Sequence, residues 1–397
     1  MKRVIAMGIC ATILASVHVR AESDIGAAIL ATADYLAEQQ VANGSWPGEE
    51  GHTGAMVAGL ADAYIATGIA SYETAAISGG NYILNSAGGN FYGDEAYALT
   101  RLSGISPDPE NNFWRTSCSH FYLAVKHSQG GTVGYIDALV TGTDVSEAVF
   151  YLANHALAAH YVDAADKDMW RNKLIEALSL VDDNANFPVL ALAASVWALV
   201  QTGPMDDTPI DIHANPDSSW KDKTLADLPD MLLGHMVTEG ERAGEFYWRF
   251  DHRASGDPAL PEVSGFTEDT AYGLQGLASA ARSNPYWNYW AAIFQAREAL
   301  ANGVAPDGSV GEHLRAGGRS LNVFGGELLQ AIAEPVIKWP LDGDANLDGR
   351  VNVLDMIFVR NKLGEDPTSG HNWQADVNED GSINILDIIY VRIRLGT

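Results

Sequence analysis

Cysteine is nearly absent from this sequence. Only two cysteines occur in 397 residues, and Cys10 lies in an amino-terminal segment that has the features of a cleavable signal. Cys118 alone would then remain in the mature chain, which excludes an intramolecular disulfide. The fold must therefore be stabilised by other means, chiefly by a packed core.

Basic residues are also scarce. The chain has 24 lysines and arginines against 51 aspartates and glutamates, which gives a formal net charge of −27. Such a charge repels polyanions and anionic membrane surfaces. The composition therefore argues against nucleic acid as a partner.

Long apolar runs are confined to the amino terminus. Lys2 and Arg3 precede an apolar run from Val4 to Val17, and Val19-Arg20-Ala21 forms a small-residue cleavage site. This run is shorter than the roughly 20 residues that a membrane-spanning helix needs. We therefore expect a signal peptide at residues 1–21, a secreted, extracellular protein, and no membrane span in the mature chain.

A duplicated segment occupies the carboxyl terminus. Residues 344–363 align with residues 376–395 at a constant offset of 32. Each copy places oxygen donors at the positions of an EF-hand loop, with glycine at the sharp turn. Because calcium requires six to eight oxygen ligands, the pattern predicts two calcium ions. The predicted ligands are Asp344, Asn346, Asp348, Arg350, Asn352 and Asp355 in the first loop, and Asp376, Asn378, Asp380, Ser382, Asn384 and Asp387 in the second, with Arg350 and Ser382 contributing backbone carbonyls.

Two features separate these loops from ordinary EF-hands. Asp355 and Asp387 stand where glutamate is usual, and no helix enters either loop. In both respects residues 342–397 resemble a type I dockerin, a calcium-binding module that attaches proteins to cohesin domains on a scaffold. Arg360 and Arg392 match basic residues that the family places on its recognition helices.

The resemblance leaves the docking partner open. Where dockerins often carry a Ser-Thr pair for cohesin contact, this chain has Val353-Leu354 and Ile385-Leu386. These apolar pairs suit a cohesin-like scaffold, and they also suit intramolecular docking of the tail onto its own protein.

The region 22–333 is predicted to be all-helical, because its apolar residues follow helical spacing without alternating strands. Six bulky residues recur at intervals of 42 to 64 positions. Each is followed by a loop and then by a helix whose first residues include a small one. A pair of helices fits each interval, and six such hairpins predict an (α/α)6 toroid. A linker is predicted at 334–341. The bulky residues are Trp46, Phe91, Val133, Phe187, Phe246 and Val310.

One repeat carries a family likeness. Tyr35 to Gln40, followed by Gly44-Ser45-Trp46, resembles the glutamine-tryptophan repeats of terpene-cyclase and prenyltransferase-like toroids. The acidic Asp-x-Asp-Asp motif of the cyclases is absent from residues 22–333, so lipid cyclisation is not indicated. Toroids also include glycosidases and polysaccharide lyases, and the fold alone does not determine the chemistry.

Polar residues in the loops after the bulky positions form the predicted active site, because these loops would gather over one mouth of the toroid. Helix capping is the alternative role for the acidic residues. The predicted catalytic residues are Asp94, Glu95, Glu268, Asp269 and His252, and the predicted substrate-binding residues are Tyr92, Trp248, Arg253, His313 and Arg315.

Three functions remain open from the sequence. Paired carboxylates suit hydrolysis of O-glycosidic bonds in a polysaccharide, the activity that export and a dockerin-like tail favour. A polysaccharide lyase would need cations to neutralise a uronate, and Arg249, Arg253, Arg315 and Arg319 are available. In a non-catalytic binding or surface-assembly protein, the acidic residues would act only as helix caps.

Overall fold

The chain divides into two compact units. The first comprises Met1–Ser279 and Ala292–Glu334, and the second comprises Ala280–Ala291 and Pro335–Thr397. The computed structural model describes residues 25–86, 91–108, 111–182, 184–210, 219–252, 263–283, 289–315, 319–333, 343, 345, 351–365, 375–378 and 382–395. The predicted signal peptide and linker lie outside these ranges. Within them, no helix combines the length and apolar character required to cross a membrane.

Helices form the regular structure of the first unit. Elsewhere, the described residues pair only as isolated bridges, such as Met236 with Phe246. The predicted all-α class is confirmed. The helices cover 25–39 (α1), Thr53–Thr67 (α2), Ala70–Ser86 (α3), Asp94–Ile105 (α4), Phe113–His127 (α5), Gly131–Gly142 (α6), Val145–Tyr161 (α7), Lys167–Leu178 (α8), Pro188–Thr202 (α9), Leu228–Leu233 (α10), Thr267–Ser283 (α11), Trp290–Asn302 (α12) and Asn322–Ile332 (α13).

Six of these helices are buried along most of their length. In α9 every residue from Pro188 to Leu199 is buried, as expected for a helix that is apolar on all sides. The other buried helices are α2, α4, α7, α11 and α13. We call these six the inner helices. By contrast, α5 buries Trp114 and Cys118 but exposes Phe113 and Leu123.

The inner helices are neighbours in chain order. Helix α2 packs against α4 and α13, and α7 packs against α4 and α9. Gly276 of α11 faces Ala193 of α9. The last inner helix therefore lies against the first, which is consistent with an all-helical toroid-like body.

Aromatic rings from different inner helices meet in the core. The ring of Trp197 on α9 lies 4.8 Å from Tyr97 on α4 and 5.6 Å from Tyr272 on α11. Phe150 on α7 lies 5.0 Å from Tyr272. Edge-to-face contacts of this kind stabilise the core beyond their buried area. The rings form what we call the aromatic floor, beneath the first turns of α4 and α11.

The bulky residues of the repeats mostly act as core wedges. Trp46, Phe91 and Phe246 are buried, and the indole nitrogen of Trp46 donates to the Leu36 carbonyl at 2.9 Å. The third repeat is an exception. Val133 was predicted to precede a loop, but it lies in α6 and is exposed.

The error at the third repeat has a local cause. Gly130 and Gly131 both have positive φ angles, 88° and 59°, a region that glycine enters at little steric cost. The chain therefore turns directly into α6, which is an additional helix between α5 and α7.

We expect Gly326→Ala to destabilise the body, because a Cβ at this position would lie 2.6 Å from the Ala55 carbonyl carbon on α2. Overpacking of this kind costs about 1–3 kcal/mol. Gly104→Ala is the matched control, since a Cβ there meets nothing within 4 Å and alanine favours a helix. Urea unfolding in calcium would measure both. Equal stability of the two variants would contradict the close α2–α13 contact.

Candidate functional site

The first turns of the inner helices have amide groups that need hydrogen-bond acceptors. Glu49 accepts from the Val323 amide at 2.8 Å and from the Asn322 amide at 2.9 Å, and so caps α13. The Leu190 amide of α9 donates to Asp269 of α11. These carboxylates from neighbouring segments perform a structural role at one end of the body.

Glu95 binds the backbone just before α4. Its Oε2 accepts from the Tyr92 amide at 2.8 Å. The Asp94 carboxyl accepts from the amides of Asp94 and Glu95 in the first turn of α4. The alternative role of the acidic residues, helix capping, therefore accounts for contacts of both Asp94 and Asp269.

Two carboxyl pairs lie at this end of the body. Glu268 on α11 is hydrogen-bonded to Glu327 on α13, and Asp94 is hydrogen-bonded to Glu95 on α4. Asp94, Glu95, Asp269 and Glu327 are buried, whereas Glu268 is partly exposed. We call these five residues the carboxyl cluster.

Burial disfavours the charged form of each carboxyl. It raises the pKa of Glu268 to about 7, although the hydrogen bond with Glu327 lowers that pKa. Burial also raises the pKa of Glu327 well above its usual range, and the neighbouring charges of Glu268 and Asp94 raise it further. Glu327 therefore retains its proton more strongly than Glu268 does. The pKa of Asp94 is raised by burial and lowered by the hydrogen bond with Glu95.

Tyr272 connects the two sides of the carboxyl cluster. Burial raises the pKa of its hydroxyl, and the charges of Glu327, Asp94 and Glu268 add to the effect. Acidic groups from α4, α11 and α13 thus act on one tyrosine of the aromatic floor. The charges of Asp94, Glu268 and Glu327 thus reach the same tyrosine, and the catalytic roles of Asp94 and Glu268 stay predictions.

Glu327 was missed by sequence reasoning. Gly325-Gly326 is the small-residue pair that marks the start of the sixth inner helix. The glutamate directly after this pair could have been predicted as a site residue on that basis. Its pairing with Glu268 joins two residues that are 59 positions apart in the chain.

The predicted substrate-binding aromatics lie in two groups. Tyr92 is half exposed, and its ring lies 6.0 Å from Tyr151. Trp248 lies 5.5 Å from Phe266, whose ring is 4.0 Å from His313. Both groups present ring surfaces of the kind on which a sugar can stack.

Other predicted residues have partners of their own. The His252 Nε2 lies 3.0 Å from the Nδ1 of His235, and its ring stacks on Tyr247 at 3.8 Å. Arg315 forms an ion pair with Glu245, a buried residue. Glu245 also pairs with Arg242, so two guanidinium groups share one carboxylate. Arg253 lies outside the described residues.

The second unit contains two short helices, Val353–Asn361 (α14) and Ile385–Ile393 (α15). Asp355 and Asp387 are fully buried. Each accepts from a backbone amide at the start of its helix, Asn352 at 2.7 Å and Asn384 at 2.8 Å. The helices pack on a small core that includes Val351, Val359, Ile383 and Val391.

The described part of the calcium loops fits the metal. The Asn378 amide donates to Asp387 at 3.2 Å, which ties the first turn of the second loop to its last ligand position. The donors are carboxylate, amide and carbonyl oxygens, which calcium prefers. The predicted ligands Asp344, Asn346, Asp348, Arg350 and Asp380 lie outside the described residues.

An apolar surface repeats with the internal symmetry of this unit. Val353 and Ile385 are both 59% exposed, and Leu354 and Leu386 are both 53% exposed. We call these four residues the docking face. Exposed apolar residues that recur in this way mark an interaction surface.

The family model of the dockerin type I domain matches residues 342–396. The carboxyl-terminal module predicted from the sequence is therefore confirmed as a dockerin, and domains of this type bind calcium and cohesin partners. No curated protein matched the chain.

The carboxyl cluster predicts how stability depends on pH. A carboxyl whose pKa is raised by folding stabilises the native state at low pH and loses that contribution as pH rises through the folded pKa. For Glu268 this window runs from the ordinary glutamate pKa of 4.5 to about 7. Glu327→Gln removes one raised carboxyl, so its melting temperature should exceed that of the parent at about pH 8 and approach it at about pH 5.

Two buried histidines act in the opposite direction. Burial lowers the pKa of His155 to about 3 and that of His235 to about 4. Both histidines therefore reduce the stability of the folded protein as pH falls below their unfolded pKa. Because the parent and the variant both contain these histidines, their effect cancels when the two melting temperatures are compared. Glu298→Gln, at an exposed position of α12, is the control. If the melting temperatures of Glu327→Gln and the parent differed by the same amount at every pH, the raised pKa assigned to Glu327 would be wrong.

Proposed function

We propose that this chain is a secreted glycoside hydrolase that its calcium-loaded dockerin attaches to a cohesin-bearing scaffold. The observation that carries the proposal is the carboxyl cluster, in which Asp94 and Glu268 come from different inner helices and act on the same floor residue, Tyr272. Glycosidases of the common type need two carboxyl groups that flank the scissile bond.

Glu268 is suited to be the general acid. It is the partly exposed member of the carboxyl cluster, and a pKa of about 7 keeps its proton available near neutral pH. A catalytic acid is most effective when its pKa lies near the working pH. Glu268 would donate this proton to the leaving glycosidic oxygen.

Asp94 is suited to be the second carboxyl group. Its hydrogen bond with Glu95 favours the ionised form and opposes the effect of burial on its pKa. An ionised carboxylate either activates water or attacks the sugar, depending on its distance from the acid. Glu95 would thus hold Asp94 in place while it accepts from the Tyr92 amide.

Two observations favour hydrolysis over elimination. A lyase needs cations for a uronate, but Arg315 is paired with Glu245 and Arg249 lies 3.3 Å from Asp251. The carboxyl cluster would also repel an anionic sugar. A purely structural role explains the caps made by Asp94 and Asp269, but it does not explain the pairing of Glu268 with the buried Glu327.

The carboxyl-terminal module supports the rest of the proposal. It is a cellulosome-type docking module, which is typical of secreted carbohydrate-active enzymes. Two calcium ions, one in each loop, would neutralise the loop carboxylates and fix the starts of α14 and α15. The docking face would then bind the scaffold.

The catalytic proposal predicts new reducing ends when the protein is incubated with mixed neutral polysaccharides. Glu268→Gln and Asp94→Asn should each lower kcat by about 10²- to 10⁴-fold, the usual contribution of a general acid or base. Glu298→Gln should retain full activity. Ultraviolet-absorbing unsaturated products would instead indicate a lyase, and no product from any polysaccharide would count against an enzyme.

The docking proposal predicts that the chain captures a type I cohesin in calcium and releases it in chelator. Changing all four residues of the docking face to serine should abolish capture, because the apolar contact area is lost. Leu123→Ser is the control, since Leu123 is as exposed as Leu354, at 53%. Calorimetry should give two calcium ions per chain. Undiminished capture by the fourfold variant would refute the assigned face, and loosening of the tail from the body would indicate intramolecular docking.

A further inference from the structure

A second group of charged side chains lies in the loops of the fifth and sixth repeats. The Oε2 of Glu245 accepts from Arg242 Nε at 3.1 Å and from the Ser264 hydroxyl at 2.7 Å, and its Oε1 forms an ion pair with Arg315. The Glu245 side chain is 2% exposed, whereas those of Arg242 and Arg315 are 39% and 49% exposed. We call these four residues the arginine site. Because one carboxylate balances only one guanidinium, the arginine site has a surplus positive charge.

Backbone contacts hold the two loops together at this point. Phe266 and His313 form an antiparallel bridge, and the Leu314 amide donates to the Gly265 carbonyl at 2.9 Å. Gly265 has a φ of 87°, and a Cβ there would lie 2.7 Å from Glu245 Oε2. Glycine at this position therefore leaves room for the buried carboxylate on which the two arginines converge.

The arginine site adjoins a pair of aromatic rings. Ser264 and Phe266 are two residues apart, and so are His313 and Arg315. The rings of Phe266 and His313 lie 4.0 Å apart, and both residues are partly exposed. Leu314, by contrast, is buried. A positive charge thus lies beside accessible ring surface, and this combination suits an acidic sugar.

Arg315 has hydrogen-bond donors available for a ligand. A guanidinium carries five N–H donors in a planar fork, and the Nε of Arg315 is bound to Glu245. Among the described residues, Glu245 is the only hydrogen-bond partner of the Arg315 side chain. The edge formed by two terminal nitrogens matches a carboxylate in a bidentate manner. Because Glu245 already fixes the guanidinium, binding at this edge costs less side-chain ordering.

We propose that the arginine site binds the carboxylate of a uronic acid residue in the polysaccharide, with Arg315 as the bidentate donor and the rings of Phe266 and His313 beside the sugar. This inference rests on the proposed function in taking the ligand to be a saccharide. Phe266 precedes Glu268 by two residues, so the arginine site lies on the loop that leads into the general acid.

The uronic acid would not be the sugar that is cleaved. The carboxyl cluster repels an anion at the scissile bond, so the acidic group would belong to a neighbouring sugar or to a side branch. Elimination differs in this respect, because it requires the cation at the sugar that reacts. The preferred substrate would therefore be neutral at the cleaved bond and acidic beside it.

Calorimetry of the full chain at about pH 7 tests the proposal with three sugars, the disaccharide of glucuronic acid and glucose, cellobiose, and sulfated cellobiose. We expect the glucuronic acid disaccharide to bind at least about 10-fold more tightly than cellobiose, as for hydrogen bonds between charged groups. High salt should reduce this preference, because exposed charges are screened. Equal binding of these two sugars would overturn the inference, and tighter binding of the sulfated sugar would overturn the assignment to a carboxylate.

Arg315→Lys keeps the charge but removes the planar fork, so the preference for the glucuronic acid disaccharide over cellobiose should fall by about 10-fold. Arg115→Lys is the matched control, since Arg115 is exposed and lies 5.1 Å from the ring centre of Tyr161. It should keep the preference of the parent, and melting curves in calcium check that both variants fold. An unchanged preference in Arg315→Lys, or an equal loss in both variants, would exclude the arginine site.

Two further results separate this inference from its alternatives. Acetate that binds as tightly as the glucuronic acid disaccharide would overturn the assignment to a sugar. Preferential binding without hydrolysis would leave the inference intact and remove the proposed function, whereas hydrolysis of polysaccharide without any preference for the acidic disaccharide would do the reverse.

Discussion

The inner helices of the body begin side by side, so their free amide groups are concentrated at one end. Water cannot satisfy amides that are packed against neighbouring helices, and carboxylates take its place. Glu49 serves α13, Asp269 serves α9, and Asp94 serves α4. The requirement for acceptors therefore explains why acidic residues gather in the interior at this end of the body.

Once carboxyl groups are gathered there, burial and mutual repulsion alter their chemistry. Capping carboxylates gain hydrogen bonds that offset the loss of water, but the Glu268–Glu327 pair gains only a shared proton. Buried acidic pairs of this kind are destabilising unless something else compensates. Carboxyl groups with raised pKa values are accordingly candidates for catalysis or binding, whereas the capping carboxylates are part of the scaffold.

Sequence reasoning succeeded where the signal is local. The dockerin could be predicted because Asp355 and Asp387 recur at a fixed offset beside glycines and oxygen donors, and the all-helical class because apolar residues follow helical spacing. It failed at Val133, where a glycine pair starts a helix, and at Glu327. Glu327 matters because of a contact between α11 and α13. A contact between distant segments cannot be predicted from the local pattern of a single sequence.

The two units use the same physical element in different ways. In the dockerin, Asp387 is a buried carboxylate at a helix start, hydrogen-bonded to the Asn384 and Asn378 amides, and calcium is the charge that such a loop accommodates. In the body, Asp94 also lies at a helix start, but its side-chain partner is the carboxyl group of Glu95, and burial raises its pKa. A carboxylate at a helix start therefore suits a metal ion where other oxygen donors surround it, and it suits proton transfer where a second carboxyl group lies beside it.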